Sequence, residues 1–408
     1  MKVLTDFVME HLEDDTTRLI LERGRYPEID MNLAVNCIES RKKLKGKVAE
    51  WYCEPALVFP VKLSAEQCSS SATGRYKAEL AEKIADRREW TIADLTGGLG
   101  VDSWFFSQKA SKVSYNEMQA ALCDAARYNF KILGADNIEV INKTISADTI
   151  SDLSADIVYI DPARRGEGGK KVFLIEDCTP DVLKLKEYIF ARCRHILLKL
   201  SPMADITMAC ERLGSTCREV HVVASGGECK ELLIWMDREY NDEPGIHAVE
   251  LHPDVPAGIF SFTSSEEICT RTDMWKHSEN ADICEAYIFE PGKALMKAGA
   301  FNQIAERFGI SKLGKSTHYY IVDSREKSLL LKTFGKIYRI LECHSLDKRT
   351  IRELGTKYPK AEVTSRNIPM DTETLRKKLG ITSGDDAHIF GLKSDSEGNL
   401  LIAAKREF

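Results

Sequence analysis

Between Trp90 and Asp237 short apolar runs alternate with amphipathic ones, and no other feature narrows the fold of this chain as much. The stretches "WTIADL", "KVSYNE", "IEVIN", "ADIVYID" and "HILLKLS" read as strands. Between them, "VDSWFFSQKA", "MQAALCDAARYNFKILG", "PDVLKLKEYIFARC" and "ADITMACERLG" read as helices. Nearly continuous apolar strands separated by crossover helices specify a parallel sheet covered on both faces. The last two strands, "REVHVVAS" and "ELLIWMD", are joined only by the short "GGECK". A link of that length makes a hairpin, so one antiparallel strand is expected at the sheet edge. The expected class is α/β with a Rossmann-like sheet.

The rest of the chain reads differently on each side. Residues 1–88 are expected to be a helical extension, with apolar residues at helical spacing in "DFVMEHLEDDTTRLILER" and "RYKAELAEKIAD". The sheet domain occupies 89–238. After the linker "REYNDEPG", two small α+β modules are expected, at 239–335 and 336–408. A chain of 408 residues is long enough for several cores. The net charge of −6 argues against a general polyanion binder. None of the twelve cysteines falls in a C-x-x-C pair, so no zinc site is expected. Scattered thiols, an early acidic run and no membrane-length apolar stretch point to the cytoplasm and to no membrane association.

The first strand runs into "ADLTGGLGVDS", with Asp94, Thr96, Gly97, Gly98 and Gly100 before the next helix. The spacing is neither the P-loop's nor the full dinucleotide fingerprint's. An acid does end the second strand, Glu117, seventeen residues beyond Gly100, where it can accept both ribose hydroxyls of an adenosine. A ribose acid without a phosphate cradle favours S-adenosylmethionine (SAM) over NAD, since SAM has no phosphate and carries cationic groups that suit Asp94. Asp102 and Met118 join this expected cofactor set. After the third strand, Asn142, Thr144 and the more distant Asp148 all remain open for the adenine end.

The fourth strand ends in "DPARRGEGGKK". Asp161 stands where open α/β sheets place their chemistry, and Pro162 stiffens the loop and removes a competing donor. Class I methyltransferases acting on amino groups carry (D/N)-P-P-aromatic at this place, and "DPAR" resembles it. Ala163 replaces the second proline and Arg164 the aromatic residue. The run is nearer the D-P-P-R-x-G of C5-uracil methyltransferases, but the fifth strand ends in "KLSP" without the cysteine nucleophile of that chemistry. Asp161, Pro162 and Arg164 are the expected catalytic residues. Asp161 also belongs to the cofactor set, and Arg164 and Arg165 would stack on a base or grip a phosphate. Pairing of those arginines with Glu167 or Glu176 is the alternative.

"EQCSSSATGRYKAEL", "DLTGGLGVDS", "YIDPARRGEGGKK", "KLSPMADI" and "GGECKELL", in this order, resemble a bacterial family of class I SAM-dependent methyltransferases with a trimethylguanosine-synthase-like core. "YIFEPGKALMKAGAFNQIAERFG" and "AEVTSRNIPMDTETLRKKLG" resemble its ferredoxin-like and THUMP-like modules. The resemblance implies SAM as cofactor and RNA as substrate but supplies no target atom; with the strand-tip acid Asp161, the expected target is an exocyclic or ring nitrogen of a base. Tyr76, Lys77, Ser201 and Pro202 complete the expected substrate contacts. Alternatives are a small-molecule methyltransferase, or a non-enzymatic RNA-binding or assembly factor on this fold. Between Leu341 and Phe408, twelve Lys and Arg face eleven Asp and Glu, which is no electrostatic footprint for RNA. Local patches at Arg366, Arg376, Lys377 and Lys378, or along Arg41 to Lys47, remain open.

Overall fold

The computed structural model describes residues 1–164, 175–253, 255–276 and 286–407. The chain gathers into two units, Met1–Val220 with Lys230–Pro244, and His221–Cys229 with Gly245–Phe408.

The first unit opens with helices α1 (Lys2–Glu10), α2 (Thr16–Leu21), α3 (Met31–Leu44), α4 (Ala49–Tyr52), α5 (Lys62–Gln67) and α6 (Ser71–Ala85). The single helical pattern of the N-terminus breaks at Asp15, whose side chain accepts from Thr17 N and caps α2. Arg41 is fully buried, and its guanidinium donates to the carbonyls of Tyr52, Glu54, Pro55 and Leu57. Lys47 donates to the carbonyls of Ala65 and Glu66. Arg41 and Lys47, the two ends of the basic run, are thus consumed in holding loops.

The sheet follows as β1 (Thr91–Asp94), α7 (Val101–Ser107), β2 (Lys112–Asn116), α8 (Ala120–Ile132), β3 (Ile138–Ile141), α9 (Ala147–Ile150) and β4 (Ile157–Ile160). A two-residue ladder joins β5 (Ala163–Arg164) to β6 (Cys178–Thr179). Then come α10 (Val182–Phe190), β7 (His195–Leu200), α11 (Ile206–Leu213), β8 (Cys217–Ser225) and β9 (Glu228–Asp237). Strands β3, β2, β1, β4 and β7 are parallel neighbours in that order, and β9 pairs antiparallel with β7. The antiparallel strand is not at the edge, as expected from the sequence, but lies between β7 and β8. Gly226 and Gly227, both at positive φ, make the tight turn that folds β9 back into that place. The strand order reverses between β1 and β4, so the acids at their tips, Asp94 and Asp161, flank the switch point.

In the second unit β10 (Gly245–Leu251) and β11 (Gly258–Thr263) form an antiparallel pair, followed by α12 (Ser264–Cys269). Then come β12 (Tyr287–Pro291), α13 (Lys293–Ala298), α14 (Gln303–Phe308), β13 (Ser311–Lys312), β14 (Tyr320–Val322) and α15 (Arg325–Leu331). The chain finishes with β15 (Gly335–Ser345), α16 (Lys348–Lys357), β16 (Lys360–Arg366), α17 (Thr372–Leu379), β17 (Thr382–Ser394) and β18 (Gly398–Arg406). The stretch "KALMKAGAFNQIAERFG" forms two helices, separated at Gly299, which adopts φ +81° as the cap of α13. Both expected small modules contribute to one seven-stranded sheet, in the order β13-β14-β12-β15-β18-β17-β16. No helix among the described residues is long and apolar enough to cross a membrane.

Candidate active site

The site is built on the C-terminal tips of β1, β2, β4 and β7. The glycine loop after β1 is shaped by what it packs against. A Cβ at Gly97 would overlap the Tyr115 ring, and Gly100 sits at φ +94° with Phe130 within 2.7 Å of where its Cβ would be. Tyr115 OH donates to Gly98 O at 2.6 Å and pins the turn.

The loop amides point inward. Gly97 N donates to Asn116 O, and Gly100 N to Gly97 O. Gly98 N donates to Glu117 Oε2 at 3.1 Å, while Gln119 N donates to Glu117 Oε1 at 2.8 Å. The loop therefore offers no nest of free N–H groups to a pyrophosphate. Each Glu117 oxygen is oriented by one backbone donor and keeps acceptor capacity for a ribose hydroxyl. Asn142 donates to the carbonyls of Glu117 and Met118 at 2.7 and 3.1 Å, fixing the turn that carries the acid. These donors and acceptors fit an adenosine without phosphates, as in SAM.

Asp94 is buried and accepts from Ser103 Oγ at 2.6 Å and Thr96 N at 3.0 Å. Burial outweighs those bonds and pushes its carboxyl up to about 7, with Asp102 and Asp161 adding to the rise. Asp102 accepts from Ser69 Oγ at 2.9 Å and Tyr159 OH at 2.8 Å and lies 3.1 Å from Lys77 Nζ. Burial opposes the Asp102 charge, but Lys77, Lys199 and these hydroxyls hold its pKa below the usual carboxylate range. Lys77 is fully buried and also donates to both Glu231 oxygens, at 3.0 and 2.9 Å. Asp161 takes Thr96 Oγ1 on its backbone N–H at 2.7 Å and Lys199 Nζ on its Oδ2 at 2.5 Å.

These groups surround one cleft of about 1050 Å³ within the first unit. Asp94, Thr96, Gly97, Gly98, Gly100, Asp102, Glu117, Met118, Thr144, Asp161, Pro162, Ser201 and Pro202 all line it. That volume is at the top of the ~300–1,000 Å³ range of small-molecule sites, so it has room for a cofactor and part of a second molecule.

A ferredoxin-like domain model matches residues 287–329, and a THUMP-domain-like model matches residues 335–406. A crystal structure from Porphyromonas gingivalis W83, named as a candidate methyltransferase, is 29% identical and covers 99% of this chain and 97% of that one, with a TM-score of 0.84. An uncharacterized RNA methyltransferase of Gloeobacter violaceus is 28% identical over 177 residues. That match takes in 43% of this chain and 32% of the relative, so this chain spans about a third of the relative's length. The chain has the fold of a class I SAM-dependent methyltransferase. Ferredoxin-like and THUMP-like domains follow its methyltransferase sheet.

Several expected contacts fall elsewhere. Tyr76 and Lys77, expected to touch the substrate, are buried and do not line the cleft. Both lie on α6, whose inner face packs against the sheet domain, and Lys77 supports Asp102 from behind. Asn142 does not line the cleft either and acts on the Glu117 backbone, whereas Thr144 does line it and Asp148 does not. The Arg164 side chain, Arg165 and Glu167 lie outside the described residues, and Glu176 is paired with Arg212 at 3.0 Å. Two partners escaped the sequence reading. Lys199 and Glu231 are the charges inside "HILLKLS" and "ELLIWMD", and a charge within an otherwise apolar strand was the available signal.

Proposed function

We propose that this chain transfers a methyl group from SAM to an exocyclic or ring nitrogen of a base in RNA, with Asp161 positioning the nitrogen. The observation that carries this reading is the convergence of Asp161, the glycine loop and Glu117 on one cleft at the sheet's switch point. When bound, SAM supplies an electrophilic methyl group on a cationic sulfur. In-line transfer breaks the sulfur–carbon bond and forms the nitrogen–carbon bond, and the nitrogen then loses a proton to solvent. The protein's part is to place and orient. Glu117 holds the ribose, Asp94 and Asp102 face the cationic end, and the Asp161 carboxylate accepts a hydrogen bond from the target N–H, which turns the nitrogen lone pair toward the methyl group. Pro162 keeps a competing N–H out of the site. Arg164 and Arg165, next along the chain, are assigned to grip a phosphate or stack on the base, and Ser201 and Pro202 line the cleft.

An RNA target is supported by the THUMP-like domain and by the Gloeobacter relative named as an RNA methyltransferase. The test is to incubate purified protein with methyl-labelled SAM and, in parallel, RNA and small-molecule extracts from cells lacking the gene. Label in RNA is the expected result. Label confined to small molecules removes the RNA assignment, and label in neither, with SAM bound, removes the enzymatic reading.

A further inference from the structure

Lys199 is the fifth residue of β7 and places an ammonium at the chemical end of the cleft. Its Nζ donates to Asp161 Oδ2 at 2.5 Å, and its side chain is 13% exposed against 36% for Asp161. Burial works against this ammonium, but Asp161, Glu231 and Asp102 outweigh it and raise its pKa. Lys47 and the Cys68 thiol also feel the Lys199 charge. Glu231 and Asp102 already share Lys77. Among the described residues, Asp161 is the carboxylate in direct contact with Lys199, while Glu231 and Asp102 act on it from farther away.

We propose that Lys199 is a positioning residue that cancels the Asp161 charge and so sets how the cleft weighs cationic SAM against its demethylated product, S-adenosylhomocysteine. This rests on reading the cleft as a SAM site. The two ligands share the adenosine and the amino-acid ends and differ by one methyl group and the positive charge on sulfur. A net charge on the wall therefore acts on one ligand and hardly on the other. An unpaired carboxylate there would retain the cationic reactant, and an unpaired ammonium would favour the product. The pair leaves neither, which lets the reactant enter and the product leave on comparable terms, while Lys199 holds the carboxylate that meets the target N–H.

The test is calorimetric titration of SAM and S-adenosylhomocysteine into the full chain and its variants, and it needs no methyl acceptor. Lys199→Met should shift the ratio of the two affinities toward SAM by about three- to tenfold, the scale of one water-screened charge at close range. Asp161→Asn should shift the ratio the other way. Lys199→Arg, and the double variant Lys199→Met with Asp161→Asn, should stay close to wild type. If Lys199→Met does not fold, the Asp161→Asn variant and the double variant still decide the matter, because neither leaves Asp161 as an unpaired carboxylate. A merely structural lysine would change both affinities together, and an unmoved ratio in a protein that binds both ligands overturns this proposal alone. Wild-type protein that binds neither ligand overturns the assignment of the cleft as well.

Discussion

At the scale of single residues the site is a contest between burial and pairing. Asp94 has two hydrogen-bond donors but no cation of its own, and burial wins, raising its carboxyl to about 7. Asp102 is also deep, yet Lys77 reverses the outcome. The Asp94 rise has a sign that can be measured. A carboxyl whose folded pKa exceeds its unfolded value of about 3.9 contributes stability below that value and loses it as pH rises through the folded pKa. Thermal melts of wild type and Asp94→Asn should therefore converge, or cross in favour of the variant, as pH rises from 5 to 8. A wild-type advantage that grows with pH would contradict the assigned ionisation. The role of Lys77 was not legible in the sequence. Its partner Glu231 is 154 positions away, and only folding shows that a lysine in "GRYKAEL" is an internal counter-ion and not a substrate contact.

At the scale of elements the sequence was more legible, because the alternation of apolar strands and amphipathic helices is a local signal that parallel sheets amplify. Strands β1 to β4 and β7 to β9 fall where the apolar runs stand, and only the two-residue β5 and β6 had no such signal. What local reading missed was order. The hairpin was visible, but whether β9 lay outside β8 or inside it depends on pairing with β7, a contact distant in sequence. The glycine loop shows the two kinds of information together. Its glycines announce a close turn, and the structure shows that the neighbour requiring Gly97 is the Tyr115 ring. Gly97→Ala should therefore destabilise the chain by about 1–3 kcal/mol, the usual range for overpacking. It should also weaken SAM binding, since Tyr115 must move away from Gly98 O. Urea melts and titration would read the two effects, and an unchanged melt would contradict the packing argument.

At the scale of the molecule, the two C-terminal domains recognised by sequence are not separate layers. Strand β12 pairs with β15 along five residues, from Tyr287↔Arg339 to Pro291↔Gly335. One buried cluster takes Ile288, Leu313, Tyr319 and Ile321 from the earlier segment and Tyr338, Ile340, Phe390, Leu392 and Ile402 from the later one. A chain ending at Phe334 would expose the β12 edge and half of that core. Limited proteolysis of such a truncation should show rapid cleavage between residues 286 and 334, where the full chain resists. Resistance equal to the full chain would contradict the shared core. The C-terminal boundary at about residue 336 marks a change of sequence motif and not an interruption of the sheet.

The central claim, that Asp161 positions the accepting nitrogen, is tested most directly by comparing methyl incorporation into the RNA pool for wild type, Asp161→Asn and Asp161→Ala, with SAM affinity measured alongside. Losing one positioned acceptor in a site with little water should lower the rate by about 10²–10³ in Asp161→Ala, by analogy with the loss of an oxyanion-hole donor. Asp161→Asn, which keeps an acceptor oxygen, should fall between the two, and SAM affinity should fall by no more than about tenfold throughout. Asp161→Ala that transfers methyl at nearly the wild-type rate, with SAM still bound, would reduce this acid to a loop anchor.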